Sequence, residues 1–360
     1  MPAKKTKSSL KWGLLQRQKT PPLHCRLMVP VNINHLDQLT HGHGIDILLR
    51  IAECFATPPP ATPEQLQAFP VSRLSTADIT KMYTDRIIEP CPHPQGGGKC
   101  TTLVEKIGLP KERRRILHDL LYTNVFTKQA TKVSFQSLEC LRKLAASASH
   151  ASSYDFEKWF YQLEIPRTIR DFMAFKTQDG RWHRVCVASM GHINSVALAQ
   201  IVSSTLANIA AAESGSYVSL DVYIDNILVL GSEDALHSFH QKFCALCYSV
   251  NATLGEMEIG KTKISHRGMI FNLTAKVASL KLEWVEKFIS RFNFIMGLRS
   301  IPIRYFEAFL GMAVYRQHAL PSAGAVPLWH CIRRLAAAKA DHADRSCRSC
   351  RYNHIDRVAT

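Results

Sequence analysis

At 360 residues and 46% hydrophobic side chains, the chain is long and apolar enough for two or three structural units around a substantial core, which excludes a disordered chain. Lysine and arginine total 45 against 29 acids, a formal charge of +16, so the expected partner is a polyanion, nucleic acid before an anionic membrane. No apolar run has the length of a transmembrane helix, and eleven scattered cysteines without a signal-peptide core suggest free thiols inside the cell, in nucleus or cytoplasm.

No acid precedes Asp37, and Lys4, Lys5, Lys7, Lys11, Arg17 and Lys19 are basic. A plain disordered terminus is favoured there over an organelle transit peptide or a nucleic-acid-binding arm. One helix is expected over Ile45–Cys54, followed by the linker Thr57-Pro58-Pro59-Pro60-Ala61-Thr62-Pro63. A helix from Thr76 should run through Ile87-Ile88 and stop at Pro90, and Cys91–Lys99 reads as an extended loop. Short strands follow at Thr101–Lys106 and Arg115–Leu117, around a basic turn containing Lys111, Arg113 and Arg114.

Residues 135–147 read as a helix, and Tyr154–Ile165 begins as a strand and ends in a turn. Phe172–Thr177, Gln178-Asp179-Gly180-Arg181 and Trp182–Val187 spell a hairpin. A long helix spans 194–212. Val222–Leu230 then reads as one buried strand with Asp225-Asn226 at its centre. A helix covers 233–250, a short strand Gly268–Phe271, and helices 283–297, 303–316 and 328–340 complete the chain. Locally paired strands with helices beside them give an α+β layer fold with a helical C-terminal unit.

A carboxylate inside an apolar strand is costly unless a metal or a cation compensates it. Asp155 and Asp225, on neighbouring strands, would together hold divalent metal, and hard oxygen ligands favour Mg²⁺, with Mn²⁺ the alternative. On spacing alone, a pair of solvated or capping acids is the favoured alternative.

The strings around these acids carry more. Asp155-Phe156-Glu157-Lys158-Trp159-Phe160-Tyr161-Gln162 resembles the first catalytic motif of reverse transcriptases of retroelements. Tyr223-Ile224-Asp225-Asn226 resembles their second, usually Tyr-X-Asp-Asp. Met190-Gly191-His192-Ile193-Asn194-Ser195 resembles the template-gripping turn, Gly260-Lys261-Thr262-Lys263 the lysine motif, and His266-Arg267-Gly268-Met269-Ile270-Phe271 the primer-grip hairpin. Asp85–Pro90 is similar to the entry to the fingers, and Arg115 with Asp119 to their basic and acidic pair. Phe306–Tyr315 resembles the thumb helix of long-terminal-repeat and tyrosine-recombinase elements.

The resemblance covers roughly residues 76–335 and implies a right-hand polymerase of fingers, palm and helical thumb. It divides the chain into a basic extension with a Pro-rich linker (1–75), fingers and palm (76–280), thumb (281–340) and a basic Cys/His tail (341–360). It implies an RNA-directed DNA polymerase that extends a DNA or RNA primer on an RNA template with dNTPs. Asp155, Asp225 and Asn226 would hold the metals, and Lys261 would protonate pyrophosphate, a surface lysine being the alternative. Lys111 and Arg115 would clamp the triphosphate, a solvated basic turn being the alternative and the favoured reading for Arg113 and Arg114. Phe160 would lie under the sugar and crowd a 2′-hydroxyl, with a plain core aromatic as the alternative. Met190 and Gly191 would let backbone approach the nascent base pair.

Asn226 stands where the family usually has Asp and removes a negative charge beside the metals. Glu157 and Asp221 are nearby acids that would help. No ribonuclease H or integrase segment follows the thumb, as expected of a lone module, a polyprotein fragment or a relic. His342, Cys347, Cys350 and His354 make a weak zinc candidate, whereas Cys244-X-X-Cys247 reads as core. The competing readings are a degenerate palm that binds nucleic acid without chemistry, and a protein-interaction scaffold.

Overall fold

The computed structural model describes residues 21–41, 46–105, 112–128, 133–298 and 302–320. Lys111, the 328–340 helix and the His342/Cys347/Cys350/His354 cluster lie outside the described residues. In chain order the first elements are α1 (Ile33–His41), α2 (Ile47–Glu53), α3 (Pro63–Gln67), β1 (Val71–Ser72), α4 (Thr76–Thr84), β2 (Ile88–Pro90), β3 (Gly97–Glu105), β4 (Arg113–Asp119), α5 (Leu121–Phe126) and α6 (Leu138–Ser147). Then come β5 (His150–Phe156), α7 (Trp159–Gln162), α8 (Arg167–Arg170), β6 (Ala174–Thr177), β7 (Trp182–Val185), α9 (Ser195–Ser214), β8 (Ser219–Tyr223), β9 (Asn226–Gly231) and α10 (Glu233–Ser249). The last are β10 (Leu254–Lys261), β11 (Lys263–His266), β12 (Met269–Asn272), β13 (Val277–Leu280), α11 (Leu282–Met296) and α12 (Ile303–Ala319).

Two compact units interleave along the chain. The first draws on Met1–Pro30, Cys54–Ala130 and Phe160–Ser195; the second on Val31–Glu53, Thr131–Trp159 and Val196–Thr360.

In the first unit the strand order is β2-β7-β6-β3-β4, with β1 paired to β6. The β6–β7 hairpin forms where Asp179-Gly180 announces it, with Gly180 at φ +82°. The helix from Thr76 is shorter than its periodicity suggests. Ser75 caps it, but it ends at Thr84, Arg86 turns at φ +54°, and Ile88 and Pro90 enter β2 against Val185 and His183. The loop expected over Cys91–Lys99 is already strand from Gly97. Arg113 and Arg114 are not a solvated turn either: they open β4, and Arg114 forms a two-pronged pair with Asp78 at 2.7 Å, the side chains 14% and 7% exposed.

In the second unit the sheet order is β10-β5-β9-β8, all antiparallel. Alternation along β5 sends Tyr154 and Phe156 against α10, where Tyr154 packs on Phe239 and Phe243. Ala151, Ser153 and Asp155 take the opposite face, where Ala151, Leu228 and Leu230 join a core built from α6, β11 and β12. β9 is buried from Ile227 to Leu230, as befits a central strand. A three-stranded sheet, β11-β12-β13, adjoins the helix pair α11–α12. Of β10–β13, only β12 was expected.

α9 is the one described helix long and apolar enough by composition to cross a membrane. Most of it (72% of its apolar window) is buried inside the protein, so it serves here as a core helix. Cys247 is likewise buried, on α10.

Candidate active site

Val222–Leu230 is not one strand. β8 ends at Tyr223, Ile224 turns with φ +61°, and β9 starts at Asn226, so Asp225 sits at a hairpin turn, half-buried, with Asn226 exposed. A β-branched residue in the left-handed region is strained. α9 holds it there: the Gln200 side chain accepts from Ile224 N at 2.7 Å and donates to Val222 O at 2.9 Å, while Ser203 Oγ donates to Ile224 O at 2.5 Å. Gln200 and Ser203 escaped sequence reading, since nothing in an apolar helix marks which polar residues face a turn.

Across the sheet, Asp155 stands directly opposite Asn226, and Asn226 opposite Tyr223. Opposed residues share a face, about 5 Å apart at Cβ. Asp155, Asn226 and Tyr223 therefore form one row across β5, β9 and β8, with Asp225 next to it; Phe156 N donates to Asp225 O at 3.1 Å. The structure thus brings together Asp155, Asp225 and Asn226 as the sequence expects. Burial first, then the charges of Asp225 and Glu256, push the Asp155 carboxyl up to about 6. Glu256, on β10, is an acid of the site that sequence reading missed. Asn226 Nδ2 donates to Asp225 Oδ1 at 2.9 Å and so occupies one of its oxygens.

The two acids named as helpers do other work. β5 stops at Phe156, so Glu157 lies past the strand, next to Lys158 at φ +50°. Asp221 is 1% exposed and turned to His266 at 2.7 Å and Arg267 at 3.4 Å. Lys261 pairs with Ala151 on β5, four residues from Asp155 and so about 13 Å along the strand. It is exposed, and the structure does not bring it to the carboxylates.

The remaining residues belong to the first unit. Arg115 pairs with Glu105 at 2.8 Å and reaches Met190 Sδ at 3.5 Å. Gly191 is required by a backbone approach: a Cβ there would lie 1.5 Å from His118 O. Its carbonyl accepts from Asn124 at 2.7 Å. Met190 lines a cavity of about 20 Å³ with Tyr161 and His118. Phe160 is half-buried on α7.

Asp155 and Asp225 offer hard oxygens whose mutual repulsion a divalent cation would relieve, and the Asn226 amide adds a neutral oxygen. Among the described residues no three His, Cys, Asp or Glu side chains are gathered tightly enough to hold a metal by themselves. A cation held by these two carboxylates alone would need further oxygens, such as substrate phosphates, to complete its shell.

No protein-family model matches the sequence, and no curated protein matches it. Solved structures do match the fold. A foamy viral protease–reverse transcriptase in complex with double-stranded DNA superposes with a TM-score of 0.58 at 15% identity, over 78% of this chain and 46% of that one. A second such complex gives 0.54 at 14% identity, over 87% and 68%. A foamy viral complex with an RNA/DNA hybrid gives 0.52 at 14% identity, over 76% and 35%. The chain thus spans less than half of the first and third of these neighbours. The fold is reverse-transcriptase-like and α+β.

Proposed function

We propose that the chain is an RNA-directed DNA polymerase of a retroelement, which extends a DNA or RNA primer on an RNA template with dNTPs. One observation carries the reading: Asp155 and Asn226 oppose each other across β5–β9, with Asp225 at the adjoining turn and its charge acting on Asp155. The formal charge of +16 and the neighbours' complexes with double-stranded DNA and RNA/DNA hybrid support nucleic-acid partners. The long-terminal-repeat or tyrosine-recombinase kind rests on the Phe306–Tyr315 string alone.

Asp155 and Asp225 would hold Mg²⁺ or Mn²⁺, which when bound activates the primer hydroxyl and neutralises the triphosphate. The chain's residues position the reaction. Gln200 and Ser203 fix the turn that presents Asp225, and Asn226 orients the Asp225 carboxylate through its amide. The primer 3′-hydroxyl gives up its proton to solvent and its oxygen bonds to the α-phosphorus, while the bond from that phosphorus to the bridging oxygen breaks and pyrophosphate leaves.

The test is primer extension in Mg²⁺ and Mn²⁺ with wild type, Asp155→Ala and Asn226→Asp. Wild type should incorporate nucleotides, Asp155→Ala should not, and Asn226→Asp should gain. Folded wild type that incorporates nothing at any metal concentration overturns the proposal. The hydrogen bond from Asn226 to Asp225 favours a second reading, a palm that binds nucleic acid without chemistry. It predicts salt-sensitive binding that Asp225→Ala leaves intact.

A further inference from the structure

One row behind Asp155, Asn226 and Tyr223, on the same face of the sheet, Ser153, Leu228 and Asp221 are aligned. Asp221 is buried, and a buried carboxylate needs partners. They come from the end of β11 and the turn after it: His266 Nε2 lies 2.7 Å from Oδ2, and Arg267 Nη1 lies 3.4 Å from both oxygens.

Arg267 does more than neutralise Asp221. Its guanidinium stacks over the Tyr223 ring, 4.8 Å from the centroid, and donates to Gln136 O at 2.8 Å. Phe135 packs on the same Tyr223 ring at 4.9 Å. On the other side the Arg267 carbonyl accepts from Tyr315 Oη of α12 at 2.5 Å. Gly268 permits this approach, because a Cβ there would lie 2.6 Å from that hydroxyl. Tyr315 in turn packs on Trp284 of α11 at 5.4 Å. One residue thus touches the sheet beneath the carboxylate row, the aromatic ring that ends the row, and, through its carbonyl, the C-terminal helix pair.

We propose that Arg267, pinned by Asp221, is a positioning residue that couples the α11–α12 helix pair to the turn presenting Asp225. Asp221, itself held by His266, holds Arg267; Arg267 holds Tyr223; Tyr315 reports the helix pair's place to Arg267. For catalysis this rests on the polymerase reading. There the coupling sets the rate of nucleotide addition once primer and dNTP are bound, rather than their affinity.

Two arms test it on the full chain. Amide hydrogen exchange is compared in wild type, Tyr315→Phe, Arg267→Lys and the double variant. Tyr315→Phe keeps the ring on Trp284, and Arg267→Lys keeps a cation for Asp221, so both should fold. Each single variant should speed exchange of the Tyr223–Asn226 amides by about fivefold, the effect of one lost hydrogen bond. The double variant should add nothing to the larger single effect. Unchanged exchange at the turn, additive effects, or equal loosening throughout the unit overturns the coupling.

In single-turnover primer extension, Arg267→Lys should lower the saturating rate by about tenfold or more, with primed-template Kd and dNTP KM moving less than about twofold. Weakened binding with the saturating rate intact overturns the catalytic part. Wild type that extends no primer removes the polymerase reading, and the exchange arm alone then decides the coupling.

Discussion

Gln200→Leu is the sharpest probe of the candidate site, because besides one bond to Ser204 Oγ within α9 at 3.0 Å it removes only the polar grip on the turn. Gln200 is 7% exposed, and its amide satisfies Ile224 N and Val222 O at 2.7 and 2.9 Å. Two such bonds are worth about 2 kcal/mol net. Ile224 at φ +61° stores strain of about 1–2 kcal/mol. The two terms are of similar size, so without the grip the turn should leave the left-handed region. A domain typically has about 5–15 kcal/mol in hand, so the fold should survive. Hydrogen exchange is the assay. The Tyr223–Asn226 amides should exchange about thirtyfold faster, while those of Leu228–Leu230 in β9 hold their protection. Adding Ile224→Asn, which tolerates positive φ, should recover part of the protection. Unchanged exchange at the turn, or equal loss along β9, would refute the clamp.

Asn226→Asp should bind Mg²⁺ more tightly than wild type in a calorimetric titration, and be less stable without metal, because it sets a second carboxylate against Asp155 and Asp225. The Asp155 carboxyl is raised from 3.8 to about 6, so the folded form binds its proton more tightly than the unfolded chain. Its cost is therefore fully present above about pH 6 and disappears as pH falls towards 4. Burial holds His118 and His192 at about 3 and about 4, which acts oppositely, since below about pH 6.5 the unfolded chain takes up protons that the folded one refuses. The Asp155 contribution is therefore read as a difference: urea midpoints in EDTA at pH 4.5 and 7 should show Asp155→Asn clearly stabilising at pH 7 and much less so at 4.5, where the unfolded carboxyl is still largely ionised. Asp78→Leu should cost about 3–5 kcal/mol in urea unfolding by stranding Arg114, and adding Arg114→Met should recover much of it. Gly191→Ala should cost about 3 kcal/mol or more in the same assay, since its Cβ would strike His118 O.

What the sequence discloses follows from how local each signal is. The β6–β7 hairpin is written in four adjacent residues, and α6, α10 and α11 follow apolar periodicity, with Ser137 and Ser232 capping the first two. The Val222–Leu230 run hides its turn because Ile224 carries no mark of positive φ; the cause is Gln200, in a different helix. β10 stays hidden because its residues are largely half-buried or exposed and show no alternation, as an edge strand permits. The Asp221–His266 pair spans 45 residues, and Arg114–Asp78 spans 36, so neither leaves a local pattern. Asp155 and Asp225 were legible as members of ordered strings; Glu256 belongs to no string and was not.

The turn also moves the electrostatic question from one acid to the other. In a buried strand, Asp225 would have carried the cost of desolvation and needed the cation. At the turn its carboxylate has an amide partner in Asn226. The cost falls on Asp155, which is held in the sheet between β9 and β10 and faces the charges of Asp225 and Glu256. A second aspartate at position 226 would stand opposite Asp155 in register and add to that repulsion. Asparagine there lets the row of residues assemble without a metal, and the same substitution lowers the attraction for one. On the polymerase reading the trade would be between a site that is stable when empty and one that draws its cation strongly, and Asn226 would place this chain towards the first.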